Sequence, residues 1–140
     1  MAGEVQEAER LGRIRAILFC MMSATAAASA LIGLHERPST ARLVLWLLML
    51  TLMAANLTGV GGWLKPIAVR RLMNDESTRD HRRTSLGIGF WVGLAAALTL
   101  AAAAERLALA PFAVAQLIAT AGLCAAFIGF AVLELRASGG

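Results

Sequence analysis

Two histidines and two cysteines, with nine carboxylates, are the side chains of this 140-residue chain suited to acid–base, nucleophilic or metal chemistry. Their spacing limits what they can do. His35 and His81 flank the uncharged run Leu43 to Leu64. A run of that length crosses a membrane, which puts the two imidazoles on opposite sides and prevents them from sharing a metal ion. Cys20 and Cys124 fall inside apolar runs without partner ligands and read as small buried apolar residues. No Ser-His-acid or Cys-His set gathers near one surface. The string Gly87-Ile-Gly89-Phe-Trp-Val-Gly93 has the wrong spacing for a phosphate loop and follows a basic segment instead of a strand. What remains is Asp75, Glu76, Asp80 and His81, which could do proton transfer on a lipid or quinone at a membrane interface. This set is thin. The chain is read as non-enzymatic, with no cofactor and no metal.

The elements that position these residues follow from the gaps between charges. The composition is 59% hydrophobic and 16% charged, with a mean hydropathy of +0.70, whereas soluble domains sit near 45–50% apolar and about 25% charged. That excludes disorder and a disulfide scaffold. Crossing about 30 Å of hydrocarbon takes about 20 mostly apolar residues. Four stretches qualify: 16–34, 43–64, 87–108 (passing Glu105-Arg106 near its end) and 112–133. Backbone groups in lipid must be satisfied within the segment, and these runs are too long and too unalternating for barrel strands. The expected fold is an all-α membrane protein, residues 1–140 forming one domain built as a bundle of four transmembrane helices. The first run is expected to be retained instead of cleaved as a leader: acidic Glu4, Glu7 and Glu9 precede it, and it continues past Ala28-Ser29-Ala30 to Leu34.

Charge distribution orients the bundle. The formal net charge is +4, and the positive side chains are unevenly placed. Arg10, Arg13, Arg15, Lys65, Arg70, Arg71, Arg79, Arg82, Arg83 and Arg136 fall on one side, against Arg37, Arg42 and Arg106 on the other. Ten against three predicts both termini and the loop 65–86 in the cytoplasm, with the bacterial inner membrane as the location. Trp46 and Trp63 are expected at opposite interfaces, with Trp91 one turn inside the cytoplasmic end of the third span. The basic excess is therefore a topology signal, and direct nucleic-acid binding is not expected.

Helices in lipid associate through small residues that permit close approach. The third span carries Gly89, Gly93, Ala97 and Ala101 at period four, and the fourth carries Gly122 and Ala126 beside Ala125 and Gly129. The first offers Ser23, Ala27 and Ala30. These ridges either close the bundle or make a homodimer. The second span ends in Asn56, Thr58, Gly59, Gly61 and Gly62, which reads as a close-packed, loosened helix end or as a hinge or ligand site. No Asp, Glu, His, Lys or Arg lies within 16–34, 43–64, 87–104 or 112–133, which argues against a proton-coupled pump. Membrane hydroxyls are expected to bond their own or a neighbouring helix.

The one substantial polar region is the loop 65–86. Asn74 suits a helix N-cap, with Asp75 and Glu76 in a first turn that favours acids. From there the helix is expected to run unbroken into the third span, laced by Asp75 or Glu76 with Arg79 and by Glu76 with Arg83. Arg82 and Arg83 could merely set topology and bind anionic lipid headgroups. An alternating acid–base pattern suits a docking surface for a cytoplasmic protein better, with Leu72 or Met73 as an apolar anchor. The stretch Asn74-Asp75-Glu76-Ser77-Thr78-Arg79-Asp80-His81-Arg82-Arg83-Thr84, followed by Gly87, Gly89, Phe90 and Trp91, resembles the central loop of a loose group of small bacterial four-span membrane proteins. Those carry a D-E-x-T-R-like signature ahead of the third span and are largely uncharacterised. The resemblance covers about 20 residues and the span count. Some such proteins are paired with DNA-binding regulators that they hold at the membrane. It implies a partner-binding role for Asp75, Glu76, Arg79, Arg82 and Arg83, and no known reaction. The resulting expectation is a membrane anchor that sequesters a cytoplasmic partner through Leu72, Met73, Asp75, Glu76, Arg79, Arg82 and Arg83. The alternative is a homo-oligomeric passive channel or small-solute carrier.

Overall fold

The computed structural model describes residues 2–32, 39–58 and 76–138. Almost all of them lie in four helices: α1 (Ala2–Ile32), α2 (Thr40–Thr58), α3 (Glu76–Leu107) and α4 (Pro111–Ser138). No strand occurs among the described residues. Each helix contains a segment long and apolar enough to cross a membrane, respectively Gly12–Ile32, Thr40–Thr58, Thr78–Ala103 and Pro111–Ala137. The expected all-α, four-spanning architecture is therefore the observed one. The glycines after Thr58, the apolar anchors Leu72 and Met73, the N-cap Asn74 and the docking acid Asp75 expected from the sequence lie outside the described residues.

Helix boundaries follow local chemistry. Ser39 precedes α2 and accepts from the backbone N–H of Arg42 at its Oγ (3.3 Å) and from that of Leu43 at its carbonyl (3.0 Å), as an N-cap does. Pro111 opens α4, where its missing N–H costs nothing, and the Val114 N–H closes the first turn on Ala110 O at 3.2 Å. Between α3 and α4 the chain reverses through Ala108 at φ 45°, a left-handed position that glycine usually fills after a helix.

Helix α4 organises the bundle. It packs extensively on α3 and on α1, and α2 touches it much less. Against α3 the contact is backbone on backbone. A Cβ added to Gly89 would stand 2.6 Å from Gly122 O and 2.8 Å from Ala126 Cβ, and one added to Gly122 would stand 3.1 Å from Gly89 O. A Cβ added to Gly93 would stand 3.6 Å from Gly122 Cα, and one added to Gly129 would stand 3.1 Å from Ile88 Cδ1. The period-four ridges thus close α3 onto α4 within one chain. Ala97 is half-buried, whereas Ala101 is exposed and lies beyond the seam.

The α1–α4 contact is filled by side chains. Phe19 meets Phe127 edge-on at 4.4 Å and Phe130 at 5.4 Å, with Ala16, Ala26, Ala126 and Ala131 fully buried around them. Cys124 Sγ donates to Ser23 O at 3.3 Å, a thiol link between these helices. Cys20, by contrast with the buried position expected of it, is exposed. From α2, Met53 and Leu57 reach this core. The hydroxyls of Ser23, Thr25, Thr51, Thr58 and Thr99 donate to carbonyls three or four residues back on their own helices, as lipid-embedded hydroxyls do. The outer faces are apolar throughout: Leu45, Trp91 and Leu98 are each about two-thirds exposed, as side chains against acyl chains would be.

Two outcomes follow. Gly89→Ala should weaken the fold by about 1–3 kcal/mol through overpacking against α4, whereas Gly87→Ala, with nothing within 4 Å, should be neutral or gain up to about 1 kcal/mol of helix propensity. Denaturation followed by circular dichroism in mixed micelles compares the pair. Ala108→Gly should stabilise by about 1 kcal/mol, since it removes the left-handed Cβ penalty, measurable in the same assay.

Candidate functional site

Where α1, α3 and α4 meet at one end of the bundle, the membrane-spanning faces give way to a charged cluster. The start of α1's apolar segment brings Arg15 to Glu134, near the end of α4, with Nη2 donating to Oε1 at 2.6 Å. Gly12, one turn earlier, lies beside this carboxylate, where an added Cβ would make ordinary van der Waals contact with Oε1 at 3.4 Å. From α3, His81 Nδ1 approaches the second oxygen, Oε2, at 3.6 Å. That separation is too long for a hydrogen bond. The Arg15 guanidinium lies over the Phe130 ring, 4.8 Å from its centre, and His81 stands edge-on to the same ring at 6.5 Å. Arg82 is half-buried, within electrostatic reach of both Arg15 and Glu134.

One guanidinium and one imidazole therefore meet one carboxylate beside the Phe130 ring, with Arg82 within electrostatic reach. The side chains of Arg15 and Glu134 are only 18% and 17% exposed. At that burial an ion pair is held by geometry and is costly to break on one side only. The cluster remains short of acceptors: Arg15 Nε and His81 Nδ1 are buried without hydrogen-bond partners. Its structural effect is to lock the N-terminal turns of α3 to α1 and α4. Ser85, fully buried with its hydroxyl on Arg82 O at 2.9 Å, and the buried Thr78 complete the packed side of those turns.

The expected docking residues divide around this lock. Arg79 and Arg83 are exposed on adjacent turns, with Asp80 also exposed. Arg82 turns inward, away from the surface grouping that the loop pattern suggests. Helical geometry accounts for the division. Thr78, Ser85 and Gly89 share the face applied to α4, Arg82 and His81 flank it, and Arg79 and Arg83 lie beyond the Arg82 flank. For Glu76 only the backbone is described, as the first residue of α3. The expectation that this helix enters the third span without a break agrees with α3 as observed.

Glu134 is the residue that sequence reasoning passes over. It closes the fourth apolar run, and nothing local marks it as a partner of Arg15, 119 positions away. One signal was available: counting spans puts Arg15, His81, Arg82 and Glu134 at the same membrane face. The acid that meets His81 is thus Glu134, and Asp80 faces away. Among the described residues no three of His, Cys, Asp and Glu stand close enough to hold a metal ion. Comparison with protein-family profiles, curated proteins and solved structures gives no match to the chain.

Glu134→Gln leaves two buried-side guanidiniums without a counter-charge and should destabilise the bundle by about 3 kcal/mol, with faster amide exchange in the first turns of α3. Asp80→Asn, at an exposed position, should change neither. Hydrogen–deuterium exchange in detergent reads both variants.

Proposed function

We propose that this chain is a non-enzymatic anchoring protein of the bacterial inner membrane that binds and sequesters a cytoplasmic protein, with both termini in the cytoplasm. The observation that carries this reading is the rigid mounting of an exposed Arg79–Asp80–Arg83 surface on the membrane-spanning helix α3. Arg15, Glu134, His81 and Arg82 hold that helix from behind. Surface charges on a mobile loop lose much of their binding energy to ordering, whereas a preformed helical surface avoids that loss. The ten-to-three bias of Arg and Lys supports the cytoplasmic placement of this end. The resemblance of residues 74–84 to loops of proteins paired with DNA-binding regulators makes a transcription regulator the partner class to test first.

The mechanism is mass action. Micromolar binding takes about −8 kcal/mol. Charge-assisted contacts from Arg79, Asp80 and Arg83 would contribute to it, with Leu72 or Met73 as an apolar anchor. Bound at the membrane, the regulator is withdrawn from its DNA sites. A change in the bundle that frees the α3 head would release it. A homodimer would present two such surfaces on one face and raise avidity through effective concentration.

The test is quantitative recovery of soluble proteins on the purified chain in mild detergent. One protein should be recovered at least tenfold less on Arg79→Ala/Arg83→Ala than on wild type, and equally on Arg106→Ala, an exposed arginine at the far end of α3. Tenfold corresponds to about 1.4 kcal/mol. Identical protein sets on all three baits would overturn the docking surface.

A further inference from the structure

At the end of the bundle that holds the Arg15–Glu134 pair, the exposed charge is mostly positive. Arg10 and Arg13 on α1, Arg79 and Arg83 on α3 and Arg136 on α4 are all exposed. Glu134, which could offset them, has a side chain only 17% exposed and is engaged by Arg15 at 2.6 Å. Asp80 is the one acid exposed at this end among the described residues. The lock between helices thus takes a carboxylate off the surface and leaves guanidiniums on it.

On α3 these charges have a fixed order. Arg79 and Arg83 lie four positions apart on one face, about 6 Å along the axis. At about 100° per residue, Asp80 stands about 60° round the helix from Arg83, to one flank of the two arginines. No ion pair among the described residues engages Arg79, Asp80 or Arg83. The surface therefore presents two positive charges in line and a negative one beside them. A DNA backbone or an anionic bilayer is negative throughout. Either would satisfy the arginines and set like charge against Asp80. A protein surface can carry both signs.

We infer that the partner meets α3 through an acidic segment, with two carboxylates about one helical turn apart and a basic side chain beside them. This rests on the docking reading above and fixes its chemistry. A guanidinium takes a carboxylate through two parallel N–H···O bonds, so each arginine holds one acid. Residues four apart on a partner helix bring two acids to the matching spacing. The basic side chain answers Asp80. For a DNA-binding regulator, such a contact differs from the basic face that neutralises phosphates. The regulator is then withheld from DNA by its location, with that face left free.

Capped alanine-based helical peptides test the charge pattern on the full-length protein in detergent, at low ionic strength where exposed charges are least screened. One peptide carries glutamates at i and i+4 with a lysine beside them. Its isomer moves the second glutamate to i+2, on the far side of the helix, and a third peptide exchanges every sign. By fluorescence anisotropy the first should bind about fivefold more tightly than either of the others. Arg79→Glu/Asp80→Lys/Arg83→Glu should invert the order in favour of the sign-exchanged peptide, which loss of folding cannot produce. Equal binding of the three peptides would overturn the inference. So would tighter binding, per negative charge, of a short DNA duplex or of phosphatidylglycerol added to the micelles. The natural partner separates this inference from the docking reading. Arg79→Lys/Arg83→Lys sets amines at the contact, and a carbodiimide should join them to Asp or Glu of the protein recovered on wild type. Recovery that depends on Arg79 and Arg83 but gives no such adduct refutes the acidic contact and leaves docking standing. Recovery of no protein refutes docking, and the peptides still decide the acidic contact.

Discussion

A helix in lipid gains little by exchanging acyl chains for the leucines of a neighbour, so this fold depends on how closely α3 and α4 can approach. Gly89 and Gly122 set that distance, because each occupies space that a single methyl on the other would need. With the backbones so near, Ile88 fits over Gly129 and Ser85 is sealed against α4. That registration carries His81 and Arg82, one turn further toward the helix start, to the level of Glu134. The geometry of the charged cluster is thus a consequence of the glycine seam one to two turns away.

The second seam works by filling. Between α1 and α4, phenylalanines and alanines interlock where no glycine allows contact of main chains, and the Cys124 thiol reaches a carbonyl across the gap. The two seams make α4 the shared wall of the protein. Its four-helix character is therefore uneven: α1 and α3 flank α4 closely, and α2 joins through Met53, Leu57 and the Trp46–Phe112 contact. The surface proposed for partner docking lies at one end of this scaffold, and an open cleft between α1 and α2 lies toward the other.

Much of this was legible along the chain. Uncharged runs marked all four spans, and the ridge from Gly89 to Ala97 marked the helix face that meets α4. Asn74, Asp75 and Glu76, midway along the polar loop, marked a helix leading straight into the third span. The site was legible only in part. Arg79 and Arg83 stand on the surface as their loop setting implies, whereas Arg82, beside them in sequence, faces inward because a step of about 100° per residue moves it onto the packed flank.

By itself the sequence determined the class of solvent, the number of crossings and the faces along which helices could meet, since each depends on local composition and on the period of a helix. The tertiary structure alone decided which ridge meets which, that the seam lies within one chain, and that a carboxylate at one end of the molecule's sequence serves an arginine at the other. Those outcomes depend on the distance between backbones after packing. Arg15 and Glu134 show why a chain cannot be read for them: each is an ordinary boundary charge until the packing of α1 on α4 sets the two 2.6 Å apart.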